Sequence, residues 1–144
     1  TFPLQSLAAR QAAWMLDLLG IPVLLDGNVI HLAQLTLGVT EACSGIRSLI
    51  ALFAAAVAWA YLLLPVGWPM LVFVASTLPI TIFANAARVV LTGLIGQQFG
   101  VDYATGFFHE FAGLVIYAFA FLCLAGVYSL LLLVGRARTP VPSP

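Results

Sequence analysis

Three long runs of apolar residues dominate the chain. They cover residues 46–64, 70–95 and 109–134, and each is long enough for a helix that crosses the hydrocarbon core of a bilayer, which takes roughly 20 residues. A turn at residues 65–69, rich in proline and glycine, separates the first two runs because proline cannot continue a helix. A polar loop with several glycines is expected at residues 96–107. The pattern therefore predicts three transmembrane helices that alternate in direction.

The N-terminal third shows a different pattern. Apolar residues recur at helical spacing over residues 4–19 with polar residues between them, which predicts an amphipathic helix at the interface or packed on the bundle. Residues 23–25 and 29–32 flank an Asp-Gly-Asn turn and predict a β-hairpin, and residues 35–39 predict a third short strand. Because open strand edges cannot lie in lipid, we expect this small sheet on the membrane surface. The predicted fold class is an all-α membrane helical bundle with a small surface sheet.

Composition supports the membrane assignment. Hydrophobic residues make up 63% of the chain and charged residues 7%, whereas soluble domains carry roughly 25% charged residues. The mean hydropathy is +1.13. There is no lysine, and five Lys+Arg residues balance five acids. Nucleic-acid binding requires a basic surface, so the composition excludes it and makes membrane lipid the main partner of the surface.

Three polar residues stand near the ends of the apolar runs. Cys43 precedes the first run, Arg88 lies late in the second, and His109 begins the third. Because consecutive spans alternate in direction, all three should meet at one membrane face. Arg136 and Arg138 follow the third run, and arginines next to a span favour the cytoplasmic side. We therefore expect the three residues on the opposite, outer side.

These three side chains suggest acyl-transfer chemistry. A cysteine at a helix N-terminus near a cation is stabilised as a thiolate, which makes Cys43 a candidate nucleophile. His109 is the candidate general base and acid. Arg88 stays protonated and could donate to an oxyanion or to a substrate carboxylate. The structural alternative is an ion pair of Arg88 with Glu41 or Glu110.

Other polar residues fall into supporting and structural groups. Asn85 lies three residues before Arg88 and shares its helix face, and Gly113, one turn after His109, leaves room for close helix approach. Cys123 has only apolar neighbours in sequence and is interpreted as structural. The two cysteines and two histidines occur at unrelated depths, so neither a metal nor an organic cofactor is predicted.

The ordered motifs resemble those of the exosortase/archaeosortase family. They are a Cys-Ser-Gly segment, an Asn-x-x-Arg segment and a His-x-x-x-Gly segment, here Cys43, Ser44, Gly45, Asn85, Arg88, His109 and Gly113. The resemblance extends over roughly residues 2–124. It implies that Cys43 is the nucleophile, that Arg88 is a transition-state or substrate-positioning cation, and that His109 transfers protons. Ser44, Gly45, Asn85, Glu110 and Gly113 would be supporting residues.

The resemblance also implies a substrate and a location. The substrate would be a secreted protein with a C-terminal sorting signal of the Pro-Glu-Pro (PEP-CTERM) type, and the acyl acceptor an envelope glycolipid or polysaccharide. The enzyme would lie in the cytoplasmic (inner) membrane with its site facing the periplasm or exterior.

Two alternatives stay open: an intramembrane cysteine protease that uses water, and a non-enzymatic transporter or scaffold subunit. We expect residues 1–138 to form one catalytic core of a longer multi-span protein, followed by a disordered tail at 139–144.

Overall fold

The computed structural model describes residues 2–38 and 45–138. Its helices are α1 (Phe2–Leu18), α2 (Gly45–Leu63), α3 (Trp68–Ala75), α4 (Thr77–Phe99), α5 (Val101–Thr105) and α6 (Phe107–Arg138). The strands β1 (Leu24–Asp26), β2 (Val29–His31) and β3 (Thr36–Gly38) form an antiparallel sheet in the order β1-β2-β3. This confirms the prediction of a mostly helical chain with one small sheet.

Two helical segments of the described chain are long and apolar enough to cross a membrane. One is Trp68–Phe99, which joins α3 and α4, and the other is Phe107–Gly135 within α6. They correspond to the second and third predicted spans. Within α2, Leu49–Leu63 forms a shorter apolar helix. A first span over residues 46–64 therefore stays a prediction.

The long segment of α3 and α4 is interrupted at Ser76, three residues before Pro79. The sequence predicts a kink caused by this proline, and the break falls earlier because proline cannot donate to the carbonyl four residues before it. Two hydroxyls satisfy carbonyls at the break. Ser76 Oγ donates to the Phe73 carbonyl at 2.6 Å, and Thr77 Oγ1 donates to the Val74 carbonyl at 2.7 Å.

The loop predicted at residues 96–107 is wrong. Helix α4 continues to Phe99, and α5 occupies Val101–Thr105. Gly100 separates the two helices with a φ of 103°, a conformation that favours glycine. Ala104 of α5 is buried, and a Cβ placed on Gly96 would lie 3.1 Å from its Cβ. This contact between helices stabilises a helical segment whose composition alone predicts a loop.

Buried side chains form two separate clusters. The sheet core joins α1, the sheet, the end of α4 and α5, and contains Ala8, Ala9, Ala12, Leu16, Ile30, Leu32, Leu35, Leu37, Val89, Val90 and Ala104. The bundle core joins α2, α3, α4 and α6, and contains Leu52, Ala56, Ala60, Leu64, Phe73, Ala84, Ala120 and Leu124. Helix α4 contributes to both cores. Arg88 lies between Ala84 of one and Val89 of the other.

The sheet packs directly on the backbone of α4 at two glycines. A Cβ on Gly93 would lie 3.2 Å from Leu32 Cδ1 and 3.4 Å from Leu37 Cδ1, and a Cβ on Gly96 would overlap Leu35 Cδ2. The absence of side chains at these positions lets the three leucines reach the helix. We call this end of the bundle, where α4 finishes and α6 begins, the sheet end.

This packing predicts a specific effect of Gly96→Ala. Alanine normally stabilises a helix interior by about 1 kcal/mol relative to glycine, but here its methyl group would displace Leu35 and crowd Ala104. We expect a net loss of about 1–3 kcal/mol from overpacking, measured as thermal unfolding of the purified protein in detergent. Gly126→Ala is the matched control, because nothing lies within 4 Å of a Cβ there. Equal unfolding midpoints for the two variants would contradict this packing.

Candidate active site

The last residue of the Cys-Ser-Gly segment begins a helix. Gly45 is the first residue of α2, whereas Cys43 and Ser44 lie outside the described residues. The backbone N–H groups of a first helical turn have no partner within the helix and carry the positive end of its dipole. The start of α2 therefore offers the environment that the sequence analysis expects next to the candidate nucleophile.

Arg88 of α4 packs on Gly113 of α6. A Cβ on Gly113 would lie 3.0 Å from Arg88 Nη2, 3.2 Å from Cζ and 3.4 Å from Nε. The guanidinium group thus lies against the α6 backbone, and the glycine provides the space for it. The sequence predicts close helix approach at Gly113, and the arginine side chain fills the space at this crossing.

The guanidinium group of Arg88 has an unsatisfied donor. Its Nε is buried and has no hydrogen-bond partner among the residues that the structure describes. Glu110 is exposed, so the ion pair proposed as a structural alternative does not engage Nε through this residue. The other candidate partner, Glu41, lies outside the described residues. A buried donor without a partner costs about 1–3 kcal/mol, and more when it is charged, so Arg88 is poised to bind an acceptor.

A small cavity opens beside Arg88, between three helices. Its volume is about 30 Å³, which is room for about two water molecules. Its lining consists of Leu52 from α2, Thr81, Ala84, Asn85 and Arg88 from α4, and Gly113, Ile116, Tyr117 and Ala120 from α6. The cavity is polar mainly on its α4 side. Asn85, proposed as a supporting residue, is therefore placed next to Arg88 as its spacing indicates.

His109 stands in the first turn of α6 and is half-buried. Its backbone N–H donates to the Gly106 carbonyl at 3.0 Å. It precedes Gly113 by four residues, which is about 6 Å along the helix axis. The structure therefore brings Asn85, Arg88 and Gly113 together around the cavity and places His109 about one turn closer to the sheet end.

The family comparison covers the region that carries these residues. A family model described as transmembrane exosortase matches residues 1–126. The chain belongs to the transmembrane exosortase family. The match includes all three motifs of this exosortase-family chain, from Cys43 to Gly113. Comparisons with curated proteins and with solved structures gave no match.

Thr81 and Tyr117 line the cavity of this exosortase-family chain but were not singled out from its sequence. Thr81 is 6% exposed, and its Oγ1 is buried without a partner among the described residues. It precedes Asn85 by four residues and Arg88 by seven, so all three share one face of α4. That spacing was the available signal, but a threonine within an apolar run does not stand out by composition.

The remaining histidine and cysteine of this family member lie away from the cavity. His31 Nδ1 is 3.3 Å from Thr36 Oγ1, a contact between neighbouring strands. Cys123 is a half-buried free cysteine in α6, roughly 20 Å along the helix from His109. Within the described residues, no group of three or more histidine, cysteine, aspartate or glutamate side chains is arranged to hold a metal ion.

Proposed function

We propose that the chain is an exosortase-type cysteine transpeptidase. It cleaves a C-terminal sorting signal of a secreted protein and transfers the product to an envelope glycolipid or polysaccharide. The observation that carries this proposal is Arg88, a half-buried arginine in a membrane-capable helix, whose buried Nε has no hydrogen-bond partner among the described residues. Family membership and the α2 start at Gly45 add support.

Cleavage requires one nucleophile and one proton carrier. His109 takes the proton of the Cys43 thiol, and the thiolate attacks the carbonyl carbon of the scissile peptide bond. Arg88 donates a hydrogen bond to the oxyanion that forms, or to a carboxylate of the substrate. The carbon–nitrogen bond then breaks, and the protonated His109 gives its proton to the amine of the leaving tail. The other product stays on Cys43 as a thioester.

Transfer reverses the roles of the same residues. A hydroxyl group of the envelope acceptor gives its proton to His109 and attacks the thioester carbon. The carbon–sulfur bond breaks, and Cys43 leaves as a thiolate that regains its proton from His109. An ester then joins the protein to the acceptor. Neither step consumes an oxidant, a reductant or a cofactor.

The proposed location is the cytoplasmic membrane with the site facing outward. Arg136 and Arg138 are among the last residues of α6, and arginines at the end of a span favour the cytoplasmic side. The sheet end, where α6 begins two residues before His109, would then face the periplasm or exterior. Substrates that carry their sorting signal across the membrane arrive on that side.

The product mass tests transfer against hydrolysis. The processed substrate, purified from cells that contain the enzyme, is expected to be heavier than the cleaved chain with a free carboxyl group, because its new C-terminus carries the acceptor. In water enriched in ¹⁸O, a transferred product should gain no label at that carboxyl group. A product with the free-acid mass and one ¹⁸O atom would show that water is the acceptor and would exclude transpeptidation.

A further inference from the structure

Five aromatic rings form a continuous exposed row where α4, α5 and α6 meet. We call this row the aromatic ladder, and its members in order of contact are Phe99, Tyr103, Phe108, Phe107 and Phe111. Successive ring centroids are 6.3, 5.6, 5.9 and 6.1 Å apart. The five side chains are 44–77% exposed. The ladder is therefore an ordered apolar surface and not part of either core.

The packing of α4 against α6 determines where the ladder lies along the axis of the bundle. Arg88 faces Gly113, and the two helices run in opposite directions. Four residues further along each helix towards the sheet end, Thr92 of α4 is about level with His109 of α6. The ladder residues of α6 are immediate neighbours of His109 in sequence. They are thus about level with Gly93, one of the two glycines of α4 on which the sheet packs.

The sheet limits how deep in the membrane the aromatic ladder can lie. Strands β1 and β3 each pair with one strand only among the described residues, so each leaves an open edge. Open edges cannot lie in the hydrocarbon, where their N–H and C=O groups would find no partner. The aromatic ladder, about level with the sheet, therefore lies at the boundary of the bilayer. Aromatic rings are favoured in the layer between headgroups and acyl chains.

The charges near the ladder indicate which kind of lipid headgroup it contacts. Residues 89–135 contain no lysine or arginine, and the charged residues beside the rings, Asp102 and Glu110, are exposed acids. The segment that carries the ladder therefore supplies no basic residue to attract anionic headgroups. The occupant that fits is the headgroup–acyl boundary of zwitterionic phospholipid.

We propose that the aromatic ladder is an interfacial anchor that inserts into this boundary and fixes the depth of His109 in the membrane. The anchor itself stands on packing, exposure and charge alone. A second part rests on the proposed function: if the chain cleaves a sorting signal, the anchor also selects the peptide bond of the substrate that His109 can reach.

Spin-label depth measurements test the anchor without any substrate. Tyr103→Cys and Phe107→Cys are introduced one at a time into Cys43→Ala/Cys123→Ala protein, labelled with a nitroxide and reconstituted in phosphatidylcholine vesicles. A label at Phe119→Cys, roughly 18 Å along α6 from Phe107, is the reference for a deep lipid-facing position. We expect labels 103 and 107 near the phosphate level and label 119 far deeper, unchanged by added salt or anionic lipid.

Removing two rings tests whether the ladder fixes depth. Phe107→Ala/Phe111→Ala should shift the depth of label 119 by roughly 3 Å or more, the rise of two helical residues. Leu114→Ala/Leu130→Ala, which removes two equally exposed apolar side chains of α6 outside the ladder, should leave it unchanged. Equal shifts for both pairs would overturn the proposal. Three results for labels 103 and 107 would also overturn it. The labels could lie as deep as label 119, lie fully in water, or be shielded from both lipid and water by a partner protein.

The cut position separates the anchor from the proposed function. With a tailed substrate, Phe107→Ala/Phe111→Ala should release a second tail cut at a neighbouring bond, and the mass of the tail reports this. An unchanged single cut together with a changed label depth would refute the selection of the bond and leave the anchor standing. Absence of any cleavage by the unsubstituted protein would refute the proposed function, while the spin labels still decide the anchor.

Discussion

Replacing Cys43 with alanine is expected to abolish processing of a substrate that carries a C-terminal sorting signal. Without the sulfur no thioester can form, and loss of a nucleophile from a unit of cooperating residues lowers the rate by about 10³-fold or more. The measurement is kcat/KM for tail release by reconstituted protein. Trapping of a thioester adduct by mass spectrometry should succeed with the unsubstituted protein and fail with the variant.

Cys123→Ala is the matched control for this substitution. Cys123 is half-buried in α6, far along the helix from His109, so its removal should change kcat/KM less than about twofold, as for an ordinary small core change. Full processing by Cys43→Ala would refute the transpeptidase proposal. A transporter would instead tolerate Cys43→Ala and lose its function with Arg88→Ala.

Arg88→Ala should lower kcat/KM by about 10²–10³-fold, the usual effect of removing a donor that stabilises charge in the transition state. The buried Nε has no other partner among the described residues, so this donor is available for the reaction. Arg88→Lys should recover only part of the activity, because a lysine keeps the charge but loses the planar set of donors. Unchanged activity with alanine would exclude Arg88 from the site.

The kinetic parameters separate the two roles that are open to Arg88. A fall in kcat with unchanged KM indicates contact with the oxyanion, whereas a rise in KM with unchanged kcat indicates binding of a substrate group. Gly113→Ala provides an independent perturbation, since its methyl group would lie 3.0 Å from Arg88 Nη2. Gly126→Ala on the same helix has nothing within 4 Å and controls for a general effect on α6.

The grouping of Asn85, Arg88 and Gly113 around the cavity was predictable because polar residues are rare in apolar runs. Arg88 and Asn85 stand out for this reason, and the glycine of the His-x-x-x-Gly motif leaves the space that the Arg88 guanidinium occupies. Thr81 escaped notice because a threonine costs little in a membrane helix and is distinguished only by a buried hydroxyl that has no partner among the described residues. Burial of a single atom depends on three helices at once, which no local pattern records.

The fold was predictable where local periodicity decides it. The helices and the small sheet follow from apolar spacing and from the turn at Gly27, whose φ is 60°. The extension of α4 beyond Gly96 and the formation of α5 depend instead on packing of Ala104 and Leu35 around that glycine. Those contacts join residues that are distant in sequence, so propensity alone indicated a loop.

The sharing of α4 by both cores has a consequence for the order of assembly during synthesis. Helix α1 and the sheet emerge from the ribosome before α4, yet their core needs Val89 and Val90, which are made more than 50 residues after the last strand. The N-terminal elements must therefore wait with their leucines and alanines uncovered until α4 has been translated and inserted. Insertion of α4 thus comes before, and makes possible, completion of the sheet core.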